Sequence, residues 1–302
     1  MKGHQVHSGY ILALLATMIW SGNFIVARDL NGSFSPISIS FFRWSIATVA
    51  VLPFALPHLR RDFNAMARQW RLMVLMSFTG VTVFNTLIYL AAHTTSAFNL
   101  SLFAITAPLY VVLLNWLLFK EAITGKQALG FAILLLGLFS LLSKGNPQKI
   151  LELEFNKGDV LMAGAAGIFA FYSVMLKKKD PAIGNLSFLA ATFLLGVFML
   201  VPFFIVEWVG TARPLEFTTS SILQFVYIGI GPSIISYYLW NRSIVDIGST
   251  KAATIYNTLP VFSALFAALI LNEAVLAIQV VSSAIIVVGV LLVLLGKGNR
   301  RP

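Results

Sequence analysis

The chain has 302 residues, 58% of them apolar and only 11% charged, with a net charge of +10 and no cysteine. Soluble proteins are about 45–50% apolar and about 25% charged, so a water-exposed fold of this length could not hide its apolar surface. An ordinary soluble enzyme, a disordered chain and a nucleic-acid binder are excluded, and the solvent implied is lipid.

A membrane span takes about 20 mostly apolar residues. In chain order the sequence supplies ten: 9–27, 36–56, 72–92, 97–118, 126–143, 158–176, 186–206, 221–241, 250–271 and 276–295. The first does not read as a signal peptide, because no small-x-small cleavage pattern follows it. With the N-terminus inside, fifteen Lys and Arg fall on the cytoplasmic side and five on the other, while Arg43 lies within a span. That asymmetry predicts both termini in the cytoplasm. The missing cysteines remove disulfides and thiolate chemistry. His4, His7, His58 and His93 have no metal-ligand spacing. No metal or cofactor is expected.

The halves resemble each other. Shifted by 152, residues 97–143 overlie 249–295 without a gap, and the matches include Thr106/Thr258, Pro108/Pro260, Glu121/Glu273, Gln127/Gln279 and Gly137/Gly289. Shifted by 149, Gly9 meets Gly158, Trp20 meets Phe169, Arg28 meets Lys177 and Pro53 meets Pro202. A unit with an odd number of spans enters the membrane upside down on its second use. The expectation is an all-α integral membrane protein of ten transmembrane helices, an inverted 5+5 repeat around a central cavity. Residues 1–144 and 158–302 form the two repeats, joined by a loop at 145–157. Inverted repeats are common in secondary transporters.

The residues then carry a resemblance. Ala92 to Asn99, Ala107-Pro108 and Phe119-Lys120-Glu121, repeated as Leu259-Pro260 and Asn272-Glu273, resemble the EamA-type unit of the drug/metabolite transporter superfamily. Ile19 to Phe24, Phe41-Phe42-Arg43 and Trp240-Asn241-Arg242 resemble its first, second and eighth helices. Lys120 and Asn272 stand where the family usually has Gly. The resemblance implies a substrate cavity built mainly by helices 1, 3, 4, 6, 8 and 9, with 5 and 10 outside it.

Candidate substrate-binding residues follow from polar and aromatic faces, which are unfavourable toward lipid. They are Trp20 and Asn23 on span 1, Asn85 and Tyr89 on span 3, and Asn99 on span 4. Span 6 adds Tyr172, span 8 adds Tyr237, Trp240 and Asn241, and span 9 adds Tyr256 and Asn257. Trp20 and Tyr172 are expected to close opposite ends, although Trp20 and Trp240 also suit an interfacial belt. Pro108 and Pro260 deprive the carbonyls of Ala104 and Tyr256 of their helical donor. The freed carbonyls either line the cavity or sit at packing kinks. Arg43, about 10 Å deep at 1.5 Å per residue, is either a counter-ion for a substrate carboxylate or a structural arginine. Glu121 and Glu273 suit a structural or gating role, capping turns at span ends.

No span has a central Asp or Glu, which argues against carboxylate-based proton exchange. No mid-span Lys/Arg pair suits a phosphate, so sugar phosphates fit less well than small zwitterionic or apolar solutes. The reading is a transporter, exporting small metabolites such as amino acids or related amphipathic compounds from a bacterial inner membrane. The expected partners are the lipid bilayer and a small-molecule solute, with no nucleic acid, in a monomer or weak homodimer. A channel or receptor-like protein is the alternative, and a drug transporter a further one. An intramembrane enzyme lacks its paired Asp, His–Glu or Ser–Lys constellation.

Overall fold

The structure, a computed structural model, describes residues 2–95, 100, 103–104, 106–143, 146, 157–211, 215–271 and 277–296. No strand occurs among them. The helices are α1 (Lys2–Leu30), α2 (Pro36–Arg68), α3 (Trp70–Ala92), α4 (Ala107–Phe119), α5 (Gly125–Leu142), α6 (Lys157–Met175) and α7 (Asn185–Thr211). They continue with α8 (Thr219–Ile247), α9 in two pieces (Ser249–Tyr256 and Leu259–Leu271) and α10 (Ala277–Leu295). Among the described residues, α1, α2, α3, α6, α7 and α8 are long and apolar enough to cross a membrane. Their outer faces are apolar: Val49, Phe54, Phe198 and Val206 are exposed, as lipid contact requires.

Local chemistry sets the ends and breaks. Ser35 caps α2 ahead of Pro36 at its first position. Pro108 and Pro260 each open a helical piece, with turns at Thr106 and at Asn257–Thr258 before them. Helix α4 ends at Lys120, whose φ of 57° is left-handed. That is the C-terminal capping geometry usually given to Gly, which explains the glycine that Lys120 replaces. Gly248 (φ 84°) turns the chain between α8 and α9.

Helix α5 packs along α10, α2 along α7, α1 along α8 and α9, and α6 along α3 and α4; α4 also meets α9. Exchanging each helix with its counterpart five places on leaves this set of pairs unchanged. The counterparts α5 and α10 run antiparallel. Along α5 and α10, Gly130 approaches Val293, Leu134 approaches Gly289, and Gly137 approaches Ile286, so numbers rise on one as they fall on the other. Under the 152-residue shift, the Gly137–Ile286 contact becomes the Gly289–Leu134 contact.

Helices α2 and α7 cap each other. The Asp62 carboxylate, near the end of α2, accepts from Gly184 N (2.8 Å) and Ser187 Oγ (2.7 Å) at the start of α7. Near the end of α7, Glu207 accepts from the hydroxyl of Ser35 and from Ser38 N (3.2 Å) at the start of α2. Each carboxylate meets the positive end of the partner's helix dipole.

Candidate functional site

Both α3 and α8 are interrupted by a π-helical turn, at Phe78–Val83 and Gly229–Ile235. The shift of 152 places the first on residues 230–235, so the breaks are equivalent. A π turn widens the helix and leaves carbonyls without their normal donors, and such turns recur at functional sites. Here side chains fill the gap. Gly80 O accepts from Tyr237 OH (2.6 Å) and Asn85 Nδ2 (3.3 Å). Its equivalent, Pro232 O, accepts from Trp20 Nε1 (2.8 Å). Gly80 has no room for a side chain, since a Cβ would lie 2.4 Å from the Tyr172 ring.

These donors belong to an aromatic cluster at the middle of the protein. The Trp20 ring meets Phe169 at 5.4 Å, Tyr237 at 5.6 Å, Trp240 at 5.3 Å and Tyr256 at 5.9 Å. Tyr172 meets Tyr237 at 5.8 Å and donates to Asn241 Oδ1 at 3.0 Å. Trp240 Nε1 donates to Ser173 Oγ at 3.1 Å. Equivalent positions touch each other here: Trp20 and Phe169, Trp44 and Phe193 (4.8 Å), and Asn85 and Tyr237 (3.1 Å). Positions matched by the internal sequence shift therefore meet in the cluster.

Arg43 lies beside it, 1% exposed. Nε donates to Ser233 Oγ (2.7 Å), and Nη1 to Asn23 Oδ1 (3.0 Å) and Tyr89 OH (2.9 Å), while the guanidinium lies 5.1 Å from the Trp44 ring centroid. All three acceptors are neutral. Among the described residues no carboxylate pairs with Arg43. An unpaired buried cation is costly, and its natural complement is an anion.

Arg43, Asn23 and Asn85 line a small cavity walled by Trp20, Phe84, Phe169 and Tyr256. Its volume of ≈ 10 Å³ is about that of one water sphere, so the cluster is closed around it. A much larger cavity, ≈ 880 Å³, lies on the other side of the cluster. One turn beyond Tyr172 and Trp240 its lining begins at Leu176 and Ile244, and it extends to Asn115, Lys177 and Lys251. Asn115 Nδ2 donates to Ser249 Oγ (3.0 Å) and Thr250 Oγ1 (2.9 Å), which ties α4 to α9.

Comparison with known proteins gives this arrangement a family. The model of the EamA-like transporter family matches residues 7–143 and again 156–295. The chain belongs to that family. It is a multi-pass membrane transporter built from two tandem EamA units, and it is not an enzyme. It is 27% identical over 267 residues to an uncharacterized transporter of Archaeoglobus fulgidus, covering 87% of this chain and 89% of the relative. It is 22% identical to a "Probable amino-acid metabolite efflux pump" of Escherichia coli K12, covering 96% of each. A solved crystal structure with 20% sequence identity superposes with a TM-score of 0.73 over 95% of this chain and 97% of that one; this likeness concerns the fold alone.

Within this EamA fold, the residues expected at the site distribute unevenly. Trp20, Tyr172, Tyr237, Trp240 and Tyr256 meet in one cluster. Trp20 and Tyr172 therefore do not close opposite ends, and Trp20 and Trp240, 6% and 0% exposed, are not interfacial. Asn23, Asn85 and Arg43 face the small cavity, and Tyr89 and Asn241 support it from behind. Asn257 is buried beside Tyr256, and its Oδ1 has no partner among the described residues. Pro108 and Pro260 are buried at helix breaks and do not line either cavity. Glu121 forms an ion pair with Lys177 (2.9 Å) at the large cavity instead of the expected turn cap. Asn99 and Glu273 lie outside the described residues. The two π turns, Phe84 and Phe169 were not read from the sequence. The run Gly229-Ile230-Gly231-Pro232 was the available signal, because Gly and Pro inside a span mark helix irregularity.

Proposed function

We propose that this EamA transporter is a secondary exporter of small carboxylate-bearing metabolites, amino acids and related amphipathic compounds among them. It works by alternating access between two inverted five-helix halves, ten spans in all. The observation that carries this reading is the central one: equivalent residues of the halves touch each other, beside a buried arginine that has no anionic partner among the described residues. The antiparallel counterparts α5 and α10 support inversion, because two halves related by a two-fold axis in the membrane plane can rock to mirror-related states. Trp20, Tyr237, Trp240 and Tyr256 form the apolar body of the site, Asn23 and Asn85 orient the solute, and Arg43 Nη2 takes its carboxylate. A few polar groups in an aromatic wall are the usual make-up of a small-molecule site. The Escherichia coli relative's name supports the amino-acid class. The Lys/Arg asymmetry supports a bacterial inner membrane with both termini, and the large cavity, on the cytoplasmic side.

The test is flux in proteoliposomes with a panel of amino acids and drugs. Tyr237→Ala, Trp240→Ala and Asn85→Ala should impair flux or change preference per folded molecule, beyond the stability each costs as a buried side chain. Leu135→Ala and Val287→Ala on α5 and α10 should have much less effect. Equal losses per folded molecule in both sets would place the site elsewhere.

A further inference from the structure

The large cavity is more than a passage, because its charges do not balance. Among the described residues six ionisable side chains line it: Glu121, Lys177, Lys179, Arg242, Asp246 and Lys251. Lys177 pairs with Glu121 at 2.9 Å, and Arg242 with Asp246 at 3.1 Å. Lys179 and Lys251 remain. The ammonium of Lys179 donates to the carbonyl of Ile183, and Lys251 Nζ donates to Tyr10 OH at 3.1 Å. Among the described residues neither reaches a carboxylate. Burial pushes the proton affinity of Lys179 down, although Asp180 and Asp62 nearby oppose this. The space itself, ≈ 880 Å³, is that of a small-molecule pocket. Its neighbour Asn115 is 1% exposed and spends both amide atoms on Lys177, Ser249 and Thr250. The paired polar wall is therefore neutral among the described residues, and the excess positive charge stands over it. A concave site of one sign with low-dielectric walls concentrates solutes of the opposite sign.

We infer that this mouth is a second binding station, which captures carboxylate-bearing solutes with Lys179 and Lys251 before they reach the central cavity. Its place on the export route rests on the transporter reading; its preference for carboxylates does not. The station and the Arg43 site share one chemistry and are separated by the aromatic cluster. A carboxylate held at the mouth has an anion-seeking group ahead of it, and the cluster is the barrier between the two.

The absence of native cysteine permits a direct measurement. Ile123 lines the mouth and is 47% exposed. Ile123→Cys in phosphatidylcholine vesicles is labelled with an anionic sulfonate and a cationic trimethylammonium thiosulfonate reagent, each rate normalised to that with free 2-mercaptoethanol. Two excess charges lining the same cavity as the thiol should favour the anionic reagent by about tenfold at low salt, and the ratio should fall toward one in about 1 M salt as screening shortens. Lys179→Gln with Lys251→Gln should lower the ratio several-fold, leaving the contribution of the exposed Lys120 and Lys126 that flank position 123, and Lys251→Gln alone should lower it while leaving the Ile183 carbonyl contact of Lys179 in place. Benzoate should slow labelling, and benzamide should not. A ratio near one in the parent protein would overturn the station, as would a preference left undiminished by both lysine substitutions or a failure of benzoate to protect. A protein that shows the ratio and the protection yet carries no flux would keep the station and sink the transporter reading instead.

Discussion

Arg43→Gln separates a substrate counter-ion from a structural arginine. In the folded protein the guanidinium donates to Ser233, Asn23 and Tyr89. A glutamine amide reaches about as far as Nε, so it can still meet Ser233 but leaves Asn23 Oδ1 and Tyr89 OH without their donor, and it removes the charge. Orphaned buried acceptors cost about 1–3 kcal/mol each. Ser233 Oγ keeps its own donation to Ile228 O (2.8 Å), and removing an unpaired buried cation returns several kcal/mol of desolvation cost. The two effects oppose each other, so folded yield and melting in detergent should change little. Transport should not be so forgiving. Breaking a buried charge pair costs about 3–5 kcal/mol, and each 1.4 kcal/mol is a factor of ten. Flux of a carboxylate solute should therefore fall by at least about a hundredfold. The assay is uptake into proteoliposomes, run in parallel with amino acids and their carboxamides. The amide should lose much less than the acid, since it never paired with the guanidinium. Equal loss for acid and amide per folded molecule, or collapse of the fold, would refute the counter-ion role and leave Arg43 structural.

Further predictions concern the frame. A Cβ on Gly289 would stand 2.6 Å from Leu134 N, so Gly289→Ala should cost about 1–3 kcal/mol by overpacking and lower the folded yield, whereas Gly164→Ala, which meets nothing within 4 Å, should be near neutral. Asp62→Ala removes the acceptor for Gly184 N and Ser187 Oγ and should destabilise by about 1–3 kcal/mol, measured by detergent unfolding; a loss below about 0.5 kcal/mol would show that the cap is idle. Lys120→Gly relieves a left-handed residue and should stabilise by about 1 kcal/mol, seen as a raised melting midpoint. Cysteine at Asn64 should be protected from an impermeant reagent on intact cells, and cysteine at Asn146 should react; the reverse would invert the topology.

Composition alone decided that this chain lives in lipid, because no folding pattern can bury so much apolar surface in water. Helix positions were legible as well, since a chain in hydrocarbon must satisfy its backbone internally, although α1 begins seven residues earlier and α2 ends twelve residues later than the apolar runs 9–27 and 36–56. The repeat was legible because proline, glycine and glutamate recurred in register, and Arg43 was legible because a charge inside a span is rare. The sequence could not say what these residues would meet. That Trp20 faces Phe169, and Asn85 faces Tyr237, depends on how helices about 150 residues apart pack together, which has no local signature. The π turns are similar: Gly80 permits one, but the inward aim of its carbonyl and the arrival of Tyr237 OH are set together by α3, α6 and α8. The mouth's charge imbalance is the furthest from sequence. Counting found many lysines at one membrane face, and only packing decided that Lys177 pairs with Glu121 while Lys179 and Lys251 reach no carboxylate among the described residues. Electrostatic pairing acts over a few ångströms of space, and the chain order does not encode that distance.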